Sequence, residues 1–478
     1  MMRKSQLPVE ANRHFSDETH QLPREQAGKR SASFHSALLC PALCLIGVMA
    51  LAACPATSDE VRPAADRFFF PTGLAMLGDG TALFVLNANS DLRFDSGSIN
   101  VVDLDRVEEI ADQWVASGAV PSDVDCDIDS SVAYTMVCNE KEFILANSTV
   151  RTGNFATEIG VQELDDGSSR IFAAVRGDPS LTWADFDPGS RTLSCGGSGA
   201  VPRCDEAHRL SRMRNDDSIG SMAVEPFGLY VDSVGGFVVL THLVQGAVTL
   251  ADAPLDGSPP ILSDVLGGVF RPDNVSNVSS ALGASARVPG GQVYVTSRSE
   301  ERVQTFTVGR IPGEFPALVP GDYFFLRGVS PSDNGRGIRF SPSGDRAYVV
   351  NRSPAVLQVL DTSLNEGGSP RNELVRTVEL CSSASGLVVG DLGQGDRAYV
   401  SCFRQGQVWV VDPGLGSVDA IIDVGRGPQG LVLSELNNKL YVSNFLEDTV
   451  AVVDLESGSA TENRVVLKLG RTRQSGGN

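Results

Sequence analysis

From Phe68 to Gly470 one strand-rich pattern keeps returning, and it constrains the fold more than any bulk property of the chain. Its plain copies are PTGLAMLGDGTALFVLN from Pro71, GRGIRFSPSGDRAYVVN from Gly335, GLVVGDLGQGDRAYVSC from Gly386 and PQGLVLSELNNKLYVSN from Pro428. Glycine-bearing tips such as GDG and PSGD supply the positive φ of tight hairpins, and the flanking Val, Leu, Phe and Tyr suit half-buried strands. A third strand follows as SINVVDLD, VLQVLD, QVWVVDP and TVAVVDLE. Weaker copies begin at Ser122, Gly160, Pro226 and Gly291. The second strands then open at Phe84, Met136, Ile171, Val239, Tyr294, Tyr348, Tyr399 and Tyr441, a mean step of about 51 residues. Continuous strand spacing with no helical segment between copies predicts an all-β fold: a single β-propeller, eight blades favoured and seven the alternative.

The strings AYVVN, LYVSN and AYVSC, preceded by G-x-x-x-S-P-x-G-like hairpins and followed by V-x-V-x-D, resemble the YVTN β-propeller repeats of bacterial surface and periplasmic proteins. The similarity spans roughly residues 68–470. Propellers of that family commonly have seven blades; the count here reaches eight because Gly160–Val175 carries its own hairpin and strand.

Residues 1–53 read as an export signal. Lys29 and Arg30 precede the apolar run from Ala37 to Ala53, whose seventeen residues, a proline among them, fall short of a comfortable membrane span. The run closes on Leu51, Ala52, Ala53 and Cys54, which resembles the lipobox of bacterial lipoproteins. That resemblance implies that Cys54 is the lipidated mature N-terminus, and Pro55 in place of Asp implies an outer-membrane lipoprotein facing periplasm or surface. The expected organisation is a signal over 1–53, a tether over 54–67, the propeller over 68–470 with an excursion loop at 185–222, and a tail over 471–478. Two shorter Pro/Gly/Asp-rich insertions lie at 254–276 and 309–334.

The chain holds 39 Lys+Arg against 59 Asp+Glu, a formal net charge of −20, which repels the phosphate backbone and argues against nucleic-acid partners. Six of the basic and four of the acidic residues belong to 1–53, so the remainder is more acidic still. Six cysteines follow Cys54 in sequence-local pairs, Cys126 with Cys138, Cys195 with Cys204 and Cys381 with Cys402. An oxidising compartment permits these as disulfides, although other connectivities are open in principle. Such loops would stabilise by roughly 2–3 kcal/mol each in the chain-entropy view. Asp123, Asp125, Asp127 and Asp129 alternate with apolar residues, so a strand there would put four carboxylates on one face. Hard oxygen ligands at that spacing suit calcium, whereas a solvated face would read the same way. No other metal or cofactor is expected.

Asn87, Asn351, Asn444, Asp103, Asp361, Asp412 and Asp454 recur at strand ends, where repetition points to turn capping rather than catalysis. Only His208 and His242 lie beyond residue 53, too few for a histidine-built copper or haem site, and His242 stands where other copies place Asn. The expected function is that of a monomeric, lipid-anchored, non-catalytic scaffold that binds an envelope protein, glycan or peptide and meets the membrane through its lipid alone. The alternative is a periplasmic or surface hydrolase of the lactonase-like propeller type, which needs an acid/base cluster in the central channel. Any specialised side is expected near residues 122–183, beside the Asp run and the excursion loop. Replacement of Cys54 by Ser is expected to release the protein from membranes on fractionation; unchanged partitioning contradicts the lipobox reading.

Overall fold

A computed structural model describes residues 61–211, 221–272, 278–326 and 335–471; the signal, the lipobox, the first part of the tether, residues 212–220 of the excursion loop and the tail beyond Arg471 lie outside them. The strands gather into seven antiparallel sheets, each opening on an inner strand: Pro71–Met76, Ala156–Glu163, Pro226–Asp232, Ala281–Ala286, Gly335–Phe340, Ala384–Asp391 and Pro428–Ser434. These are blades 1 to 7 of one propeller. Each sheet then runs outward in chain order to its fourth strand, with antiparallel register throughout. The outer strands of blades 4, 5 and 6, Ala317–Phe325, Glu373–Glu379 and Ser417–Asp423, are largely solvent-facing and lack the apolar pattern of the three strands inside them. Apolar side chains pack between neighbouring blades. Phe84 of blade 1, for example, meets Phe186 of blade 2 edge-on at 5.1 Å.

The count is therefore seven, and the expectation of eight is corrected at one place. Gly160–Val175 belongs to a true blade, whereas the copy at Ser122 does not. After the third strand of blade 1 (Ser98–Asp103) the chain enters a helix, Leu104–Ser117. Asp103 caps it by accepting from the Arg106 N–H, Gly118 ends it in the left-handed conformation, and Leu104, Val107, Ile110, Ala111 and Trp114 form its buried stripe. A disulfide-linked hairpin follows, Cys126–Ile128 with Met136–Cys138, before the chain returns to supply the outer strand of blade 1, Val150–Arg151. Short alternating strands made this segment look like a blade; the helical period before it was the contrary signal.

The hairpin docks at the other end of the chain. Met136–Cys138 pairs parallel with Arg464–Leu469, the outer strand of blade 7, extending that sheet to six strands. The Thr135 hydroxyl donates to the Val465 carbonyl at 2.7 Å, the Gly470 N–H to the Cys138 carbonyl at 2.9 Å, and the Tyr441 hydroxyl to Glu108 of the helix. Blade 7 is built from contiguous chain, whereas blade 1 takes its outer strand from beyond the insertion, so this insertion joins the two ends of the ring from outside. On the inside, the Ser443 hydroxyl donates to the Thr72 carbonyl at 2.9 Å.

That last contact is one of a series. Thr241, Thr296, Ser401 and Ser443 occupy the same position on the second strands of blades 3, 4, 6 and 7, the Ser/Thr of strings such as YVSN, where blade 5 has Val350. Each hydroxyl accepts from the glycine N–H of its own inner strand and reaches the backbone carbonyl of the next blade: Leu282, Gly335, Gln429 and Thr72. Blades 1 and 2 have Leu86 and Ala174 there, and the hydroxyls of Thr72 and Thr157 on their inner strands make the interblade bond instead, to Ala156 and Phe227.

One residue further on, Asn87 binds the Phe69 N–H, His242 the Val224 carbonyl, Asn444 the Val424 carbonyl, and Cys402 forms its disulfide with Cys381. All four tie the second strand to the loop leading into its blade. The three disulfides are Cys126–Cys138, Cys195–Cys204 and Cys381–Cys402. The stretch 185–222, read as strandless, supplies two short strands, Thr192–Ser194 and Arg209–Leu210, both paired to Ser180–Asp187. Thr296→Val leaves a buried N–H and a carbonyl unpaired, so the urea midpoint should fall by an amount equivalent to about 1–3 kcal/mol, and Thr296→Ser should restore most of it. A valine variant as stable as wild type would show that the strap contributes nothing.

Candidate functional site

The inner strands crowd around the axis. Each carries a bulge whose second residue is Gly73, Gly228, Gly283, Gly337, Gly386 or Gly430 in six blades. A Cβ at Gly228, Gly386 or Gly430 would run into the backbone carbonyl of Leu282, Gln429 or Thr72 on the next blade. Glycine is required there by close approach of backbone to backbone. Blade 2 breaks the pattern, because Glu158 stands where the others have glycine. Its carboxylate accepts from the Leu229 N–H at 2.9 Å and borders the channel cavity.

The rim above is set by a second repeated device. The residue leading into the inner strand is left-handed in five blades: Phe70, Phe155, Glu225, Ser383 and Gly427, with φ between 50° and 69°. Its carbonyl accepts from the N–H of the residue that follows the second strand, which fixes Ala88, Arg176, Leu243, Phe403 and Phe445 around the mouth. Non-glycine residues at such φ carry strain of order 1–3 kcal/mol, tolerated where surrounding structure over-determines them. Phe70, Phe445 and Phe403 form a chain of rings at 5.1 and 6.1 Å.

Between strands and rim lies a cavity of about 340 Å3. Glu158 enters it from blade 2, Phe227 from blade 3, Arg336, Arg339 and Arg352 from blade 5, Phe403 from blade 6, and Gln429 with Phe445 from blade 7. Burial raises the Glu158 pKa, and the charge of Arg339 partly offsets this. Burial also pushes the Arg336 guanidinium down to about 10, helped by the like charges of Arg352 and Arg298. Arg352 is lowered for the same reason, by burial and then by Arg404. The cavity thus combines one carboxyl with a rise in pKa and an arc of cations over blades 4 to 6.

The Asp residues singled out in the sequence sit elsewhere, around the hairpin docked on blade 7. The strand there covers only Cys126–Ile128, too short to align four carboxylates. Asp123 pairs with Arg106 at 2.6 Å, while Asp125 and Asp127 share Arg471 at 2.7 and 2.9 Å. Asp129 caps a turn by accepting from the Ser131 N–H at 2.8 Å. A calcium ion at Asp125 and Asp127 would have to compete with Arg471. Among the described residues no group of three or more His, Cys, Asp or Glu is placed to hold a metal ion. His242 is a strand-end tie between the Val224 carbonyl and the Thr249 hydroxyl; burial lowers its pKa to about 4, against the pull of the Val224 carbonyl, and keeps it neutral.

Of the charged channel residues, Glu158 alone falls in the 122–183 region where a specialised side was expected. Its signal was present as ATEIGV set against PTGLAM and PFGLYV, with Glu in the glycine column. The channel arginines gave no local sign, since Arg336, Arg339 and Arg352 of blade 5 meet Glu158 and Phe227 only through the closure of the ring.

No family model matches the sequence, and neither does any curated protein. Solved structures resemble the fold. The β-propeller domain of Cps50 (Swd1) from Myceliophteria thermophila aligns with a TM-score of 0.50 at 9% identity, over 83% of this chain and 98% of its own. A candidate 6-phosphogluconolactonase from Bacteroides fragilis aligns with a TM-score of 0.49 at 14% identity, over 87% of this chain and 99% of its own. Likeness at such identities establishes the propeller fold alone.

A raised Glu158 pKa means that the folded protein holds a proton the unfolded chain has released, so stability falls as pH rises through that window. Glu158→Gln should match wild type in urea unfolding near about pH 4 and exceed it near about pH 8. Equal stability at both ends contradicts a buried charge at this position.

Proposed function

We propose that the protein is a lipid-anchored β-propeller of the cell envelope that binds a ligand at the mouth of its central channel without turning it over. The observation that carries this reading is the convergence of Glu158, Phe227, Arg336, Phe403 and Phe445, drawn from five different blades, on one cavity. A cavity of about 340 Å3 is near the lower end for small-molecule sites and takes a sugar unit or the end of a peptide. The repeat resemblance and the lipobox at Cys54 support an envelope location, with the propeller as a monomeric body on a short tether.

Binding is favoured over hydrolysis on chemical grounds. Glu158 is the one carboxyl among the residues lining this cavity, and the ionisable groups beside it are arginines, which keep their protons at neutral pH and cannot act as bases. The hydroxyls of Thr72, Thr157 and Ser385 that line the wall are engaged by backbone carbonyls. Sugar-lactone hydrolysis by the purified protein is therefore expected to be unchanged by Glu158→Gln. A turnover that this substitution abolishes would establish the hydrolase instead. A small-molecule extract of cell envelopes is expected to raise the melting midpoint of wild type and to leave that of the Phe403→Ala/Phe445→Ala variant in place.

A further inference from the structure

Many arginines in this protein that are buried or half-buried find carboxylates. Arg151 meets Asp95 at 2.8 Å, Arg397 meets Asp412 and Asp419 at 3.3 and 2.9 Å, and Arg302 meets Glu300 at 3.1 Å. With 59 acidic residues to 39 basic ones, pairing is statistically easy. The channel mouth is different. Arg336, Arg352 and Arg298 form no ion pair among the described residues, and the Nε of Arg336 is buried with no hydrogen-bond partner among them. The Arg336 guanidinium instead lies over the Phe227 ring, 5.8 Å from its centroid. A desolvated, unpaired guanidinium beside two like charges costs stability, and an anion supplied from outside offsets that cost.

We propose that the channel mouth is a site for a small oxyanion, a carboxylate or phosphate carried on a molecule of about monosaccharide size, gripped by Arg336 with Arg352 beside it. This rests on the reading of the mouth as a ligand site and names its ligand class. The planar guanidinium fork matches two oxygens of a carboxylate or phosphate, and stacking on Phe227 orients it. Glu158 lies three blades away in the ring of seven, across the channel, where it accepts a hydroxyl or ammonium donor from the far side of the ligand. The Gln429 amide and the rings of Phe403 and Phe445 line the space between. The two ends of the cavity differ in charge, so the ligand carries its anionic group at one end and its donors at the other.

The experiment is a thermal-shift and calorimetric titration of the mature protein at constant ionic strength. The probes are galacturonate, glucose 1-phosphate, inorganic phosphate, neutral galactose and an envelope small-molecule extract, each with wild type, Arg336→Met and Arg336→Lys. The expected result is binding of galacturonate or glucose 1-phosphate at least tenfold tighter than galactose, lost in Arg336→Met and weakened in Arg336→Lys. Preference between the two anions distinguishes a carboxylate from a phosphate ester, and inorganic phosphate measures the anion alone. Arg336→Met should also melt higher than wild type in the absence of ligand, a result that separates lost binding from lost folding. Galactose binding as tight as the anions, or an extract effect that survives Arg336→Met, overturns the oxyanion site and leaves the ligand-binding reading intact. No response of wild type to any probe or to the extract overturns both.

Discussion

The close approach of seven inner strands around one axis is the constraint on which the rest of this structure depends. Backbone meets backbone there, so Gly228, Gly386 and Gly430 leave no room for a Cβ, and the carbonyls exposed by that contact need donors. Hydroxyls supply them, from the second strand in blades 3, 4, 6 and 7 and from the inner strand in blades 1 and 2. A net contribution of about 1 kcal/mol per hydrogen bond is modest singly, but the bonds join six of the seven neighbouring blade pairs, the exception being blade 5 to blade 6, where Val350 stands at the hydroxyl position. The Ser/Thr of the repeat string is explained by this geometry, as is its exchange for Leu86 where Thr72 takes over the bond.

A rigid ring frees its rim. Because five blades anchor the residue after the second strand to a left-handed carbonyl, the side chain placed there varies without disturbing the scaffold: Ala88, Arg176, Leu243, Phe403 and Phe445 hold equivalent posts. The same holds one layer down, where Glu158 replaces a glycine. Departures from the repeat gather at the mouth of the channel, and blade 5, with Arg336, Arg339 and Arg352, departs most. Electrostatics then follow from burial. An otherwise acidic protein thus holds Arg336 and Arg352 at the channel mouth with no carboxylate paired to them among the described residues.

Legibility followed the same logic. The blades with hairpin glycines and Tyr-Val strands were readable because turn chemistry and burial act locally in sequence. The three disulfides were readable because each closes a short loop. The seventh-or-eighth blade was not, since Cys126–Ile128 and Met136–Cys138 are strands in fact but pair with a sheet more than three hundred residues away in the chain. The helix before them announced itself through Asp103, Gly118 and its apolar period, which is where the strand template should have yielded. The outer strands of blades 4, 5 and 6 were faint because solvent on one side removes the apolar pattern. Glu158 was legible as a break in a column of glycines, while Arg336 and Phe227 become a site only when blades 3 and 5 are brought to one channel.

Closure of the ring shows how an insertion acquires structural purpose. Blades 1 and 7 each complete their own four strands, and the segment between Leu104 and Ser148 links them, adding two strands, a disulfide and the Arg471 contacts to the outer edge of blade 7. The central claim concerns the other face of that ring: the unpaired arginine at the channel mouth belongs to a ligand. A crystal structure of the protein isolated from its own envelope, without added anions, tests this directly. The account predicts non-protein density within hydrogen-bonding distance of the Arg336 guanidinium and bordered by Phe403 and Phe445. A mouth filled by water alone, with Arg336 turned to a protein carboxylate, would contradict it.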